Sequence, residues 1–152
     1  MYELKDIKEL ALFKIDEALF GINIDHIQEI NKNLKFTRVF NAAGYVKGVM
    51  NLRGQIVTVI DLRVKLNYTK NEMRQGNRVV IVKHKSESVG LLVDKMEDII
   101  EVEPERIENS SAKIAGVNPE YFAGIYKLDD GLVIILDVDQ LLFEDESSAA
   151  VA

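Results

Sequence analysis

The sequence is poor in the side chains that most often carry chemistry. It has no cysteine or tryptophan and only two histidines, His26 and His84, which lie far apart in the chain. Disulfides, cysteine-bound iron–sulfur clusters and thiol nucleophiles are therefore excluded. The acidic run at 97–108 lacks the spacing of a calcium loop, and no glycine pattern of a nucleotide-binding loop is present. We predict no catalytic, cofactor-binding or metal-binding residue, and hence a protein that is not an enzyme.

Basic charge and long apolar runs are also scarce. With 19 Lys and Arg against 25 Asp and Glu, the net charge of −6 argues against nucleic-acid binding, which calls for a basic face. The longest aliphatic run, Leu132 to Leu136, is too short to span a bilayer, and the opening residues MYELKDIKEL do not resemble a signal peptide. We expect a cytoplasmic protein without direct membrane insertion.

What the chain does contain is an internal duplication. The segment FGINIDHIQEI at 20–30 returns as VGLLVDKMEDI at 89–99, and GVMNLRGQIVTVIDL at 48–62 returns as GIYKLDDGLVIILDV at 124–138. Residues that only build the fold are expected in both copies, whereas functional residues are free to differ. The shared Asp61 and Asp137 are therefore interpreted as helix N-caps, not as a catalytic pair.

The copies differ at two basic positions. Lys47 corresponds to Ala123, and Arg53 in the turn at 53–54 corresponds to the acidic turn at 129–130. The repeated fold does not need these basic groups, so they are candidates for recognition. An arginine on a tight turn presents a rigid fork of donors suited to a carboxylate or to backbone carbonyls. An ordinary exposed turn arginine remains the alternative.

The hydrophobic pattern is that of strands. Paired runs at 10–15 and 19–24, 46–52 and 55–60, 79–82 and 89–93, and 122–128 and 132–136 predict four hairpins. Short strands with two open edges are best accommodated by closure into small barrels. The polar segment 67–77 is the best boundary, so we predict a first barrel at about 10–70, a second at 77–143 and a flexible tail at 144–152. Terminal strands are allowed to cross between the barrels.

One hairpin carries a family signature. The segment KGVMNLRGQIVTVIDLR at 47–63 resembles the signature KGVxNLRGxIVxVxDLR of the CheW family of chemotaxis coupling proteins. The segments at 20–30, 89–94 and 120–124 resemble further family segments in the same order. The resemblance runs from about residue 10 to residue 143. It implies one CheW-like domain, an all-β fold of two packed five-stranded SH3-like β-barrels with short helical segments.

The resemblance also implies a function. CheW proteins are non-catalytic adaptors that couple methyl-accepting chemoreceptors to the histidine kinase CheA. The partners implied are the cytoplasmic tip of a chemoreceptor and the regulatory domain of CheA. The chain is then expected to be a monomer alone, and part of receptor–kinase arrays at receptor clusters beneath the inner membrane.

Site residues follow from the same match. The positions that match the receptor-facing surface of the family are Ile27, Glu29, Lys47, Gly48, Arg53, Ile56, Val79 and Ile99. For the kinase-facing surface we take Phe36, Val39 and Phe40, three bulky apolar residues in a connecting segment that are either core or an exposed patch. The segment 109–118 matches no motif of the family.

Two other functions stay open at this point. The first is a CheW-like scaffold of a non-chemotactic pathway with a different receptor and kinase. The second is a small-barrel binder of a ligand or nucleic acid. That binder would need clustered aromatic residues or a basic stripe, whereas most of the five Tyr and six Phe occupy positions expected in the core.

Overall fold

A computed structural model describes residues 4–69, 71–109 and 112–143. The predicted flexible tail at 144–152 lies outside the described residues. Eleven strands occur in this part of the chain: β1 (Glu9–Ile15), β2 (Ala18–Asn23), β3 (Ile27–Asn31), β4 (Val46–Leu52), β5 (Gln55–Asp61), β6 (Arg78–His84), β7 (Glu87–Val93), β8 (Lys95–Glu101), β9 (Ile107–Glu108), β10 (Phe122–Leu128) and β11 (Gly131–Leu136). Helix α1 spans Leu62–Lys65, and α2 spans 138–143.

The strands form two sheets. The five-stranded sheet has the order β3-β6-β7-β5-β4, and the six-stranded sheet has the order β8-β1-β2-β11-β10-β9. All four predicted hairpins are present as antiparallel pairs, while β5 with β7 and β11 with β2 pair in parallel. The predicted fold class is confirmed, with a sixth strand, the two-residue β9, added to one sheet.

Each sheet takes strands from both copies of the duplication. Hairpin β1–β2 belongs to the first copy but joins the six-stranded sheet, and hairpin β6–β7 belongs to the second copy but joins the five-stranded sheet. The two sheets therefore do not coincide with residues 10–70 and 77–143, because strands cross between them, as was allowed above for terminal strands. The physical reason is that the first hairpins are exchanged reciprocally, so no single cut in the chain separates the sheets.

A shared core holds the sheets together. The largest cluster of buried apolar side chains combines Phe13 and Phe20 of the six-stranded sheet with Val80 and Leu91 of the five-stranded sheet. Leu141 and other residues of helix α2 belong to the same cluster. Smaller clusters lie inside each sheet alone. Burial of apolar surface between the exchanged hairpins thus makes the two sheets one packed body.

Both aspartates interpreted as helix caps behave as predicted. The Asp61 carboxylate accepts a hydrogen bond from the backbone N–H of Arg63 at 3.1 Å, at the start of α1. The Asp137 carboxylate accepts one from the N–H of Gln140 at 3.2 Å, at the start of α2. Satisfying these N–H groups at the first turn explains why both copies keep an aspartate there.

Candidate partner-binding site

The turn between β4 and β5 presents Arg53 to solvent. Arg53 and Gly54 both have positive φ, 50° and 86°, as the central residues of type I′ hairpin turns do. The Asn51 side chain accepts a hydrogen bond from the Gly54 N–H at 2.9 Å and so holds the turn. The Arg53 side chain is 73% exposed. A short, fixed turn therefore presents an accessible guanidinium.

Arg53 is held in place by a carboxylate on another strand. Its Nη2 lies 2.5 Å from Oε2 of Glu29 on β3, and the Asn31 Nδ2 donates to the other Glu29 oxygen at 3.2 Å. In the order of the five-stranded sheet β3 and β4 are the outermost strands, so this contact between β3 and the β4–β5 turn brings the two edges of the sheet together. Because exposed ion pairs contribute little to stability, the main effect of the contact is to orient Arg53.

The contact also alters the titration of both groups. The hydrogen bond from Arg53 is the largest cause that lowers the pKa of Glu29 below its ordinary value, and the hydrogen bond from Asn31 lowers this pKa to a smaller extent. The same hydrogen bond and the charge of Glu29 raise the pKa of Arg53. Both groups are therefore charged at neutral pH, and the site presents a cation with its counter-ion beside it.

Two predicted receptor-facing residues are exposed isoleucines. Ile56, 68% exposed, pairs across the hairpin with Asn51 and so lies next to the Arg53 turn. Ile99, 53% exposed, lies on β8, the outer strand of the other sheet. Ile27 and Lys47 are half-buried. The structure thus brings Glu29, Arg53 and Ile56 together in one sheet, while Ile99 is contributed by the other sheet.

Gly48 belongs to the scaffold and does not line the predicted surface. It is buried, its φ is 152°, and a Cβ there would lie 2.4 Å from the carbonyl oxygen of Thr37. Thr37 and Val49 exchange two backbone hydrogen bonds of 2.8 Å, which join the chain after β3 to strand β4. Glycine is needed because the two backbones approach too closely for a side chain.

Val79 is also a scaffold residue. Its side chain is fully buried and packs with Met50, Val57, Ile81 and Leu92 inside the five-stranded sheet. The side chain is thus not accessible from the surface in this structure. The family match assigned Gly48 and Val79 to the receptor-facing surface by their positions in the sequence alone, whereas their burial depends on how the sheet closes. The other six receptor-facing residues stay predictions.

Of the three predicted kinase-facing residues, one packs on the core and two are exposed. Phe36 packs against the core of the five-stranded sheet, whereas Val39 is 42% and Phe40 75% exposed. The Arg38 guanidinium carbon lies 5.0 Å from the centre of the Phe40 ring, a cation–π distance. Val39 also lines an open cleft of 420 Å³, together with Arg38 and Lys47. Phe36 therefore anchors the segment that presents Val39 and Phe40.

Sequence reasoning missed the functional potential of Arg63. This side chain is 1% exposed and forms a two-pronged ion pair with Asp61, at 2.9 Å and 3.0 Å. Its Nη1 also donates to Oδ1 of Asp94 at 3.1 Å and to the carbonyl of Glu72 at 2.8 Å. Comparison of the two copies could have identified Arg63, because the equivalent position in the second copy is Asp139.

Burial and charge act in opposite directions on Arg63. Burial on its own would lower its pKa, but the hydrogen bonds and charge attraction of Asp61 and Asp94 outweigh this and raise the pKa. Arg63 therefore stays protonated throughout the working range of pH. A buried cation is tolerated only when its donors are satisfied, and here carboxylates and a carbonyl satisfy them.

Other kinds of site were sought in the described part of the chain. No group of three or more His, Asp or Glu side chains there is arranged to hold a metal ion. Among the same residues, no helix has the length and apolar character that crossing a membrane requires. The candidate partner-binding sites are thus the Arg53–Glu29 pair with the exposed Ile56 beside it, and the segment that carries Val39 and Phe40.

Comparison with known proteins decides the family. The model of the CheW-like domain matches residues 9–146. The chain belongs to the CheW family. It is 31% identical to the chemotaxis protein CheW of Klebsiella aerogenes over 91% of this chain and 84% of that one, and 30% identical to the chemotaxis protein CheW of Bacillus subtilis over 98% and 96%. Its fold is similar to that of the scaffolding protein TtCheW from Thermoanaerobacter tengcongensis, with a TM-score of 0.82, 28% identity and coverage of 89% and 87%.

Membership of the CheW family confirms two predictions. The family consists of non-catalytic scaffolds of chemotaxis signalling, so the chain is an adaptor and not an enzyme. The family also agrees with the observed two-sheet architecture. The most distinctive CheW segment of the sequence, at 47–63, forms the β4–β5 hairpin and α1, which carry Arg53 and Arg63.

Proposed function

We propose that this chain couples methyl-accepting chemoreceptors to the histidine kinase CheA by binding both at once. The observation that carries the proposal is the pre-oriented Arg53 on the hairpin that bears the CheW signature. The corresponding turn of the second copy carries Asp129 and Asp130, so the fold itself does not demand an arginine there. A residue that is exposed, held in one position and absent from the repeat is best explained by recognition of a partner.

The receptor-facing surface consists, in this proposal, of Ile27, Glu29, Lys47, Arg53, Ile56 and Ile99. Exposed isoleucines supply the apolar contact for the helical tip of a receptor, while Arg53 and Glu29 supply polar groups around it. Apolar anchors surrounded by polar groups are typical of specific protein interfaces. Gly48 and Val79 support this surface from within the sheet.

The kinase-facing surface consists of Val39 and Phe40, anchored by Phe36. Phe40 is the most exposed large apolar residue in the described part of the chain, at 75%. An exposed aromatic ring beside a cation is suited to a protein interface, here with the regulatory domain of CheA. The chain would act in the cytoplasm at receptor clusters, as a monomer when alone and within arrays when assembled.

A three-component assay tests the proposal. Purified chain, a receptor signalling fragment and CheA are combined, and co-sedimentation and CheA autophosphorylation are measured. We expect the chain to bring receptor and kinase into one complex and to raise autophosphorylation. If the wild-type chain fails to join the two, the coupling function is wrong.

The variant Arg53→Glu tests the receptor surface. It places a carboxylate beside Glu29, so we expect receptor binding to weaken about tenfold or more, with kinase binding and thermal stability nearly unchanged. The matched control is Arg106→Glu, the same charge reversal at an arginine that pairs with Glu103 and Asp129 near the other hairpin turn. Equal losses of receptor binding in both variants would show a general charge effect and would contradict a specific role for Arg53.

A further inference from the structure

We propose that Arg63 is a positioning residue that fixes the two sheets relative to each other and so aligns Ile56 with Ile99 on the receptor-facing surface. The claim about alignment of the sheets stands on geometry alone. The claim about receptor binding rests on the proposed function. Arg63 itself is buried, so it acts through the residues that it positions.

The geometry begins with the two carboxylates that Arg63 joins. Asp61 is the last residue of β5 in the five-stranded sheet, and Asp94 immediately precedes β8 in the six-stranded sheet. Arg63 contacts Asp61 with Nε and Nη2, and Asp94 with Nη1. Asp94 also immediately follows β7, which pairs in parallel with β5. One guanidinium therefore joins the end of β5 to the residue at which the chain passes from the five-stranded to the six-stranded sheet.

The same two strands carry the exposed isoleucines. Ile56 lies on β5, five positions before Asp61. Ile99 lies on β8, five positions after Asp94. At the rise of an extended strand, each isoleucine lies about 17 Å from its bridged carboxylate. A rotation of about 10° between the strands at the bridge would therefore displace one isoleucine relative to the other by about 3 Å. Such a displacement is large compared with the fit of a protein interface.

Asp94 is a firm anchor for this arrangement. Its Oδ2 accepts a hydrogen bond from the N–H of Asp16 at 2.7 Å, in the turn between β1 and β2. Its backbone N–H donates to Lys14 at 3.2 Å, and its carbonyl accepts from the Asn77 side chain at 3.0 Å. Asp16 and Lys14 thus fix Asp94 to the six-stranded sheet. Asn77, which precedes β6, and Arg63, through its ion pair with Asp61, connect Asp94 to the five-stranded sheet.

The duplication provides an independent argument. The equivalent of Arg63 in the second copy is Asp139, which lies 3.0 Å from the His84 ring nitrogen and bridges no pair of carboxylates. The repeated fold therefore forms without an arginine at this position. Arg63 shares this property with Arg53, and both belong to the hairpin and helix that carry the CheW signature.

The first experiment measures the distance between the sheets. Because the chain has no cysteine, spin labels can be placed through Ile56→Cys and Ile99→Cys alone, and double electron–electron resonance then gives their distance distribution. We expect one narrow distribution with Arg63 present, and a distribution shifted or broadened by about 3 Å in Arg63→Lys, because lysine cannot form a planar fork to two carboxylates. An unchanged distribution in Arg63→Lys overturns the inference.

A matched control and a second variant keep this experiment decisive. Arg78→Lys makes the same exchange at an arginine that donates to the carbonyls of Gln75 and Asn77, so its distance distribution should equal that of the wild type. If Arg63→Lys does not fold, Asp94→Asn replaces it, because this change removes the charge of one anchor at nearly constant volume. The same shift or broadening is expected in Asp94→Asn, and an unchanged distribution counts against the inference.

The second experiment asks whether alignment matters for the receptor. We expect Arg63→Lys to bind the receptor fragment about tenfold more weakly, and Ile99→Ala to weaken binding about fivefold in the wild type but less than about twofold in Arg63→Lys. Additive effects of the two changes would overturn the alignment role, because a merely destabilising Arg63→Lys leaves the Ile99 contact intact. If the wild type does not bind the receptor fragment at all, the proposed function fails, while the distance measurement still decides the role of Arg63.

Discussion

Replacement of Gly48 by alanine tests the closure of the five-stranded sheet. An added Cβ would lie 2.4 Å from the carbonyl oxygen and 3.0 Å from the carbonyl carbon of Thr37, at a backbone φ of 152°. Neither neighbour is a flexible side chain that can turn away. The segment after β3 must therefore move off strand β4, and both 2.8 Å hydrogen bonds between Thr37 and Val49 are lost.

The magnitude follows from these two effects. A strained positive φ for a residue with a side chain costs about 1–3 kcal/mol, and each lost hydrogen bond about 1 kcal/mol. We therefore expect Gly48→Ala to reduce the free energy of unfolding by about 3–5 kcal/mol. Since domains of this size are stable by about 5–15 kcal/mol, the variant should be severely destabilised but still measurable at low temperature.

Urea unfolding followed by circular dichroism is the assay, with two glycines as controls. Gly54 has a φ of 86° and no atom within 4 Å of an added Cβ, so Gly54→Ala should lose only about 1–2 kcal/mol through strain. Gly44 has no such neighbour and no positive φ, so Gly44→Ala should change stability by less than about 0.5 kcal/mol. If Gly48→Ala and Gly54→Ala agree within about 0.5 kcal/mol, the close approach to Thr37 has no energetic role.

This prediction bears on how receptor-binding defects are interpreted. A Gly48 variant would loosen the segment that contains Phe36 and Phe40 as well as the β4–β5 hairpin. We therefore expect Gly48→Ala to weaken receptor and kinase binding together. Arg53→Glu, in contrast, should weaken receptor binding alone.

The remaining predictions concern charge, burial and connectivity. The lowered pKa of Glu29 means that its contact with Arg53 is present above the ordinary value of 4.5 and is lost as the pH falls through the lowered pKa. A carboxyl titration by NMR should show this, and Arg53→Ala should return the pKa of Glu29 towards 4.5. Val79→Ala should reduce the free energy of unfolding by about 2 kcal/mol, whereas Ile56→Ala should hardly change it and should weaken receptor binding instead. A protease site introduced within 71–76 should allow cleavage without separation of the halves, and halves that separate on gel filtration would contradict the exchanged hairpins.

Much of the local structure could be predicted from the sequence. The alternation of apolar residues located four hairpins, and the Arg53-Gly54 and Asp129-Asp130 turns form where they were expected. The duplication correctly assigned Asp61 and Asp137 to helix caps. These features depend on residues close together in the chain, where propensity and turn chemistry act directly. The sequence allowed strands to cross between the barrels but did not specify which hairpins are exchanged, because the similar hydrophobic patterns of the two copies fit either partner.

The sequence by itself determined the family, the hairpins and the contrast between Arg53 and its acidic counterpart, since each of these is encoded by residue identity and local spacing. Only the tertiary structure decided which motif residues are accessible. Gly48 and Val79 belong to the same predicted receptor-facing set as Arg53 and Ile56 but are buried, because closure of the sheet brings Thr37 onto one and encloses the other. Burial and long-range pairing depend on how distant segments pack, which spacing along the chain does not encode.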